Sequence, residues 1–222
     1  MTPRIVAVSP EEPREDRLRQ GVEVLRAGGV IALPTETFYG LAADAFHREA
    51  VGRLNKLKKK AEDAPILLLL ADVSQAALVG RDLPAAFSRM AQTFWPGPLT
   101  LVVPAAADVP REISGGRGSV GIRVPGLALP RRLASLLGRP ITGISANLHR
   151  EPPCRTAEEV VRTFESGVDL VLDGGPAPGG APSTILDLTG PRPKVLRHGI
   201  VPDSALAAFL PELCPDWPPS SL

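Results

Sequence analysis

Cysteine is nearly missing from this chain of 222 residues, and the two present, Cys154 and Cys214, form neither a metal-ligand spacing nor a disulfide framework. That excludes a disulfide-stapled secreted scaffold and leads us to expect a reducing compartment, the cytoplasm. Histidine is almost as scarce, and His47, His149 and His198 show no metal spacing, so no protein metal site is expected. Aromatic residues make up only 4% of the chain. That is little for a protein that grips single-stranded RNA by stacking. A formal net charge of +1 offers no global field for nucleic acid or an anionic membrane. The stretch from Met1 to Val8 lacks the apolar core of a signal peptide. The longest strongly apolar run, around Ile66 to Ala71, is far too short to cross a bilayer. A Walker-type phosphate loop is absent, and no serine sits in a nucleophile-elbow context. Any chemistry is therefore expected to rest on positioning and electrostatics rather than on a covalent intermediate.

Lysine is the last shortage. Of 25 basic residues only five are lysines, and four of them are Lys56, Lys58, Lys59 and Lys60. Alone, the run reads as the solvated end of a helix, because Val51, Leu54 and Leu57 keep helical spacing ahead of it and cations suit a helix C-terminus. In a chain that otherwise uses arginine, it also reads as a set of compact point charges suited to phosphate.

Strand-like and helix-like patterns alternate along the whole length. Strands are expected at residues 4–8, 30–33, 66–71, 99–103, 119–124, 141–145, 168–172 and 184–188. A helical face built from Leu18, Val22 and Leu25 closes at Gly28-Gly29, a second helix covers 48–58, and two short helical segments precede the rigid turn Phe94-Trp95-Pro96-Gly97-Pro98. Thr156-Ala157-Glu158-Glu159 is a capping box that opens a helix to about Phe164. The alternation argues for an α/β fold with a mixed sheet, and the lack of a linker argues for one domain. The Gly- and Pro-rich segment 174–182 reads as a mobile loop, and the tail from Pro211 as irregular. Gly116-Arg117-Gly118-Ser119-Val120-Gly121 satisfies a dinucleotide-binding pattern. It is rejected because a strand, not a helix, is expected to follow it.

Polar clusters gather where strands end, the usual site-forming position in α/β sheets. They combine cations and small hydroxyls with few carboxylates, a mixture that suits an anionic ligand rich in oxygen, such as a nucleotide. Arg123 alternates with Val120, Ile122 and Val124, so it stands on the opposite face of its strand beside Gly121, whose missing side chain leaves room for a ligand.

Five motifs occur in order: Pro34-Thr35-Glu36-Thr37-Phe38-Tyr39-Gly40-Leu41, Trp95-Pro96-Gly97-Pro98-Leu99-Thr100-Leu101, Val120-Gly121-Ile122-Arg123-Val124-Pro125, Ser145-Ala146-Asn147, and Ser183-Thr184-Ile185-Leu186-Asp187-Leu188. With them the chain resembles the threonylcarbamoyl-AMP synthases, the YrdC/Sua5 family, from about Gly21 to Ile200. The resemblance implies a single α/β domain over residues 1–205, with a twisted mixed sheet, flanking helices and a large concave basic cavity. A tail, 206–222, follows, as in the short bacterial-type form. It also implies a nucleotidyltransferase reaction in which L-threonine, bicarbonate and ATP give threonylcarbamoyl-AMP and pyrophosphate. The product serves the N6-threonylcarbamoyl modification of tRNA adenosine through a downstream threonylcarbamoyl-transferase complex. The resemblance further implies Mg²⁺ held mainly through ATP phosphates, weak tRNA binding and no membrane partner.

Matched position by position, Lys58 and Lys60 would act on the phosphates, with Lys60 standing where the family has arginine and Ala61 where it has proline. Thr37, Arg123, Ser145 and Ser183 would contact threonine, Arg123 through its carboxylate. Ser119, Ser145, Asn147, Arg155 and Arg197 would surround the nucleotide. His149-Arg150 replaces the family's Ser-Gly, and Leu69 stands near a histidine of some members. Two other readings remain open, a carbamoyl-adenylate-handling enzyme of related type and an RNA-binding module that uses the concave face.

Overall fold

Apolar residues that follow one another without alternation, Val30-Ile31-Ala32-Leu33, demand a strand covered on both faces, and that strand organises the protein. The computed structural model describes residues 2–58, 64–148 and 151–210. In it, β2 (Ile31–Pro34) is buried along its whole length. Val30 and Ala32 face one core, while Ile31 and Leu33 face another.

The second core is closed by two helices. α1 (Glu15–Arg26) turns Leu18, Val22 and Leu25 inward, and α6 (Ala128–Leu137) contributes Leu129, Leu133 and Leu137. The two helices approach closely at Gly21, where a Cβ would lie 3.1 Å from Leu133 Cδ2. α1 ends at Gly28, whose φ of 76° is open to glycine without strain.

Strands divide between two mixed sheets. β1 (Arg4–Ala7), β9 (Leu170–Asp173), β2, β3 (Tyr39–Ala42) and β8 (Ile144–Ser145) form the first, in the order β1-β9-β2-β3-β8. The second holds β4 (Leu68–Leu69), β5 (Leu99–Pro104), β6 (Ser119–Arg123), β7 (Ile141–Thr142), β10 (Thr184–Asp187) and β11 (Lys194–Arg197). Its order is β11-β10-β5-β6-β4-β7. The mixed α/β reading is thus borne out, and the strand expected over 141–145 proves to be two strands, one in each sheet. Gly143 lies between them, where a Cβ would come within 2.5 Å of Leu69 Cγ. Only a bare backbone passes there.

The first core lies among the sheets and α2 (Arg48–Leu57), α4 (Ala85–Phe94) and α7 (Ala157–Thr163), with Val51, Leu54, Met90, Val120, Ile122 and Val160 among its members. α7 opens as expected, with Thr156 Oγ1 accepting from Glu159 N at 3.2 Å, although Glu159 reaches back to Arg155 N rather than to Thr156 N. Two one-turn helices, α3 (Ala76–Val79) and α5 (Arg111–Ser114), bury Ala76, Val79 and Ile113 in the same core. α8 (Asp203–Phe209) runs across the boundary expected at 205, burying Leu206, while Phe209 meets Phe94 edge to face. Gly116 and Gly118 form a left-handed turn that leads into β6, the opposite order to a dinucleotide loop.

Candidate active site

Two polar clusters stand at strand ends, linked by the hairpin β2–β3. The first begins with Lys58, which caps the C-terminus of α2. The solvated helix end expected from the lysine run does not hold here, since Lys58 is only 8% exposed. Its ammonium donates to Ser145 O at 2.6 Å and to Asn147 Oδ1 at 2.5 Å. Burying an ammonium is costly unless oxygens replace its water, and the end of β8 with the residues after it supplies them. Asn147 is fixed in turn, because its amide donates to Leu148 O and Glu151 O and its carbonyl accepts from Ser145 Oγ at 2.7 Å.

The second cluster surrounds Arg123, the last residue of β6. Strand alternation turns it away from the core as expected, yet its side chain is only 6% exposed. Nη1 pairs with Glu36 Oε1 at 3.2 Å. Burial pushes the guanidinium pKa down and the Glu36 charge opposes that shift, so the ion pair offsets part of the desolvation. Arg197, in β11, donates to the Ser183 carbonyl and hydroxyl, both at 2.9 Å. Ser183 Oγ is 3.0 Å from Thr100 Oγ1. The Arg197 pKa is lowered first by burial and then by Arg123, so two guanidiniums share one neighbourhood. Gly199 follows close by, and a Cβ there would strike Pro182 O at 2.3 Å, which accounts for glycine after His198.

The hairpin loop joins the clusters. Thr35 Oγ1 donates to Phe38 O at 2.8 Å and closes the loop, which carries Glu36 toward Arg123 and buries Thr37. Two residues past Phe38, Gly40 pairs with Ser145 across the β3–β8 ladder. A Cβ on Gly40 would be 3.3 Å from Ile144 O, so the ladder needs little bulk here.

Lys58, Ser145 and Asn147 therefore touch directly, as do Arg197 and Ser183, and Thr37 lies in the loop that reaches Arg123. Arg155 makes different contacts. Its guanidinium holds Ala177 O at 3.3 Å and Pro178 O at 2.9 Å, and Gly179 N donates to Thr37 O at 2.6 Å. The loop expected to be mobile is thus tied to the site from both sides. Ser119 starts β6, four residues from Arg123, or about 13 Å along the strand. Lys60, Ala61, His149 and Arg150 lie outside the described residues. Sequence reasoning missed Glu36 and Thr100 as site residues. The signal for Glu36 was a lone carboxylate between two threonines at a strand end. A cavity of about 530 Å³, lined by Arg48, Arg81 and Arg111 among others, opens near the start of β6 and includes none of the expected site residues.

The Sua5/YciO/YrdC family model, described as Telomere recombination, matches residues 23–199. The chain belongs to this family. The matched bounds agree within two residues with the span of the resemblance, Gly21 to Ile200. Threonylcarbamoyl-AMP synthase of Pyrococcus abyssi is 35% identical over 203 residues, 91% of this chain and 60% of that protein. The chain thus spans less than two thirds of that relative's length. Threonylcarbamoyl-AMP synthase of Halorhodospira halophila is 37% identical over 165 residues, 74% of this chain and 86% of that one. A solved structure of P. abyssi Sua5 in complex with L-threonine superposes with a TM-score of 0.89 at 35% identity, covering 94% of this chain and 61% of that protein. Among the described residues, no helix of this family member is long and apolar enough to cross a membrane.

Proposed function

We infer that this protein is a threonylcarbamoyl-AMP synthase, forming the adenylate and pyrophosphate from L-threonine, bicarbonate and ATP. The observation that carries this reading is the buried Arg123 with the guanidinium of Arg197 sharing its neighbourhood and held on the Ser183 hydroxyl, itself beside that of Thr100, set in the motifs of a family whose P. abyssi member is seen with L-threonine. Arg123 forks onto the threonine carboxylate. Thr37 and Ser183 meet the hydroxyl side of the amino acid, where a hydrogen bond separates threonine from valine. The amine and bicarbonate condense to a carbamate with loss of water. A carbamate oxygen then attacks the α-phosphorus and pyrophosphate leaves.

Lys58 and Lys60 stabilise charge on the phosphates, while Ser119, Asn147, Arg155 and Arg197 bound the nucleotide. Arg155 reaches the nucleotide together with the 174–182 loop it holds. Mg²⁺ would supply further charge neutralisation on the phosphate oxygens. The Ser145 and Asn147 oxygens are already taken by the Lys58 ammonium, so the ion would be held by the phosphates rather than by this cluster. The basic concavity expected of the family, weak tRNA contact and delivery to a cytoplasmic threonylcarbamoyl-transferase complex belong to the same reading. The test is pyrophosphate release from ATP and bicarbonate with and without L-threonine. Release that requires threonine supports the synthase, and release indifferent to it rejects the synthase.

A further inference from the structure

Two buried atoms at the centre of the second cluster have no hydrogen-bond partner among the described residues: Arg123 Nε, a donor, and Glu36 Oε2, an acceptor. They belong to side chains already paired through their other atoms, Arg123 Nη1 with Glu36 Oε1 at 3.2 Å, while Glu36 Oε1 also accepts weakly from Gly126 N at 3.5 Å. Nearly every buried polar atom in a folded protein is satisfied, so an orphan calls for an explanation. Here the two orphans are of opposite kind and sit on opposite charges in contact. The ion pair therefore leaves one cationic donor and one anionic acceptor unsatisfied side by side. A free α-amino acid carries the complementary pair, a carboxylate and an ammonium on adjacent carbons.

We propose that Glu36 is the ammonium-binding residue of the amino-acid site, reading the zwitterion jointly with Arg123. The assignment rests on the synthase reading and adds to it a residue and a selectivity. The Nε edge of Arg123 takes the carboxylate, and Glu36 Oε2 takes the ammonium. The ion pair then serves as a template that keeps the two charges side by side before ligand arrives. Glu36 is well placed for this, because its backbone lies in the closed loop 35–38 and its side chain is only 21% exposed. The expected selectivity is for a free amine. A hydroxy acid of the same shape would leave Oε2 facing a weaker, neutral donor.

Calorimetry tests this without turnover. Wild type, Glu36→Gln and Glu36→Asp are titrated with L-threonine and with its hydroxy-acid analogue, in which a hydroxyl replaces the amine. A saturating ATP analogue with a non-cleavable bridge between the α and β phosphates is present throughout. Wild type should bind threonine at least roughly tenfold more tightly than the hydroxy acid. Glu36→Gln should bind the two about equally, and Glu36→Asp, which keeps the charge on a shorter arm, should retain part of the preference. If Glu36→Gln fails to fold, Glu36→Asp and wild type still decide the matter. Full wild-type discrimination in Glu36→Gln, affinity and preference unchanged in Glu36→Asp, or no discrimination in wild type would overturn the role of Glu36 and leave the synthase reading standing. Failure of wild type to bind threonine at all would sink both.

Discussion

Lys58 places its ammonium 2.5 Å from the side-chain oxygen of Asn147, joining the end of α2 to the strand end at Ser145. A lysine at an exposed helix end could be truncated at little cost to stability, but this one cannot. Lys58→Ala should abolish adenylate formation and also lower unfolding stability by about 1–3 kcal/mol, because part-buried hydrogen bonds from a charged donor to Ser145 and Asn147 are lost. Urea unfolding beside a pyrophosphate assay checks both effects. Near-normal turnover in a folded variant would remove Lys58 from the chemistry.

Arg123→Lys should raise the threonine KM roughly tenfold or more, because an ammonium cannot reproduce the fork and still meet Glu36. ATP affinity measured without threonine should barely change. Equal loss of both affinities, or loss of neither, would contradict the carboxylate role.

Gly121 offers a sharper probe of where ligand lies. A Cβ built there meets Thr100 Cγ2 at 3.5 Å, an ordinary contact, and the residue has no left-handed backbone. Gly121→Ala should therefore fold with stability changed by less than about 0.5 kcal/mol. It should still bind threonine or ATP several-fold more weakly, because the methyl projects from the same strand face as Arg123. Unchanged affinities for both substrates would show that neither approaches this part of β6.

Tyr39 is the one tyrosine of the chain. Its hydroxyl donates to Gly175 O at 2.8 Å, and burial, followed by the nearby Asp173 charge, pushes its pKa well above the ordinary value. A raised folded-state pKa means that this contribution to stability is intact below the unfolded value of about 10 and is lost as pH rises above it. Tyrosinate absorbance should thus appear only as the protein unfolds in alkali. Tyr39→Phe should flatten the fall in stability above about pH 10 relative to wild type. Free titration of Tyr39 near 10 in the folded protein would contradict this environment.

The legible parts of the fold were those whose cause is local. Leu18, Val22 and Leu25 declare α1, and Thr156 with Glu159 declares the start of α7. β6 was legible through its alternation, which correctly put Arg123 opposite the core. What escaped depends on contacts between distant segments. α6 hides behind Pro130, tolerated because it lies in the first turn. β3 hides in Tyr39-Gly40-Leu41-Ala42, a poor strand sequence held by ladders to β2 and β8. The need for glycine at residue 143, where the chain passes from one sheet to the other, comes from Leu69 packed against it. At the site, the family resemblance named Lys58, Ser145 and Asn147, but nothing in the spacing revealed that Glu36 would pair with Arg123, 87 positions further on by subtraction of their numbers.

The most direct measurement is mass detection of the product. The protein is incubated with ATP, L-threonine and isotopically labelled bicarbonate, and the nucleotide fraction is analysed. The account predicts a threonylcarbamoyl-adenylate that carries one labelled carbon and is absent when threonine or protein is omitted. ATP consumed with only unmodified AMP or ADP formed, and no labelled adenylate under any condition, would contradict it.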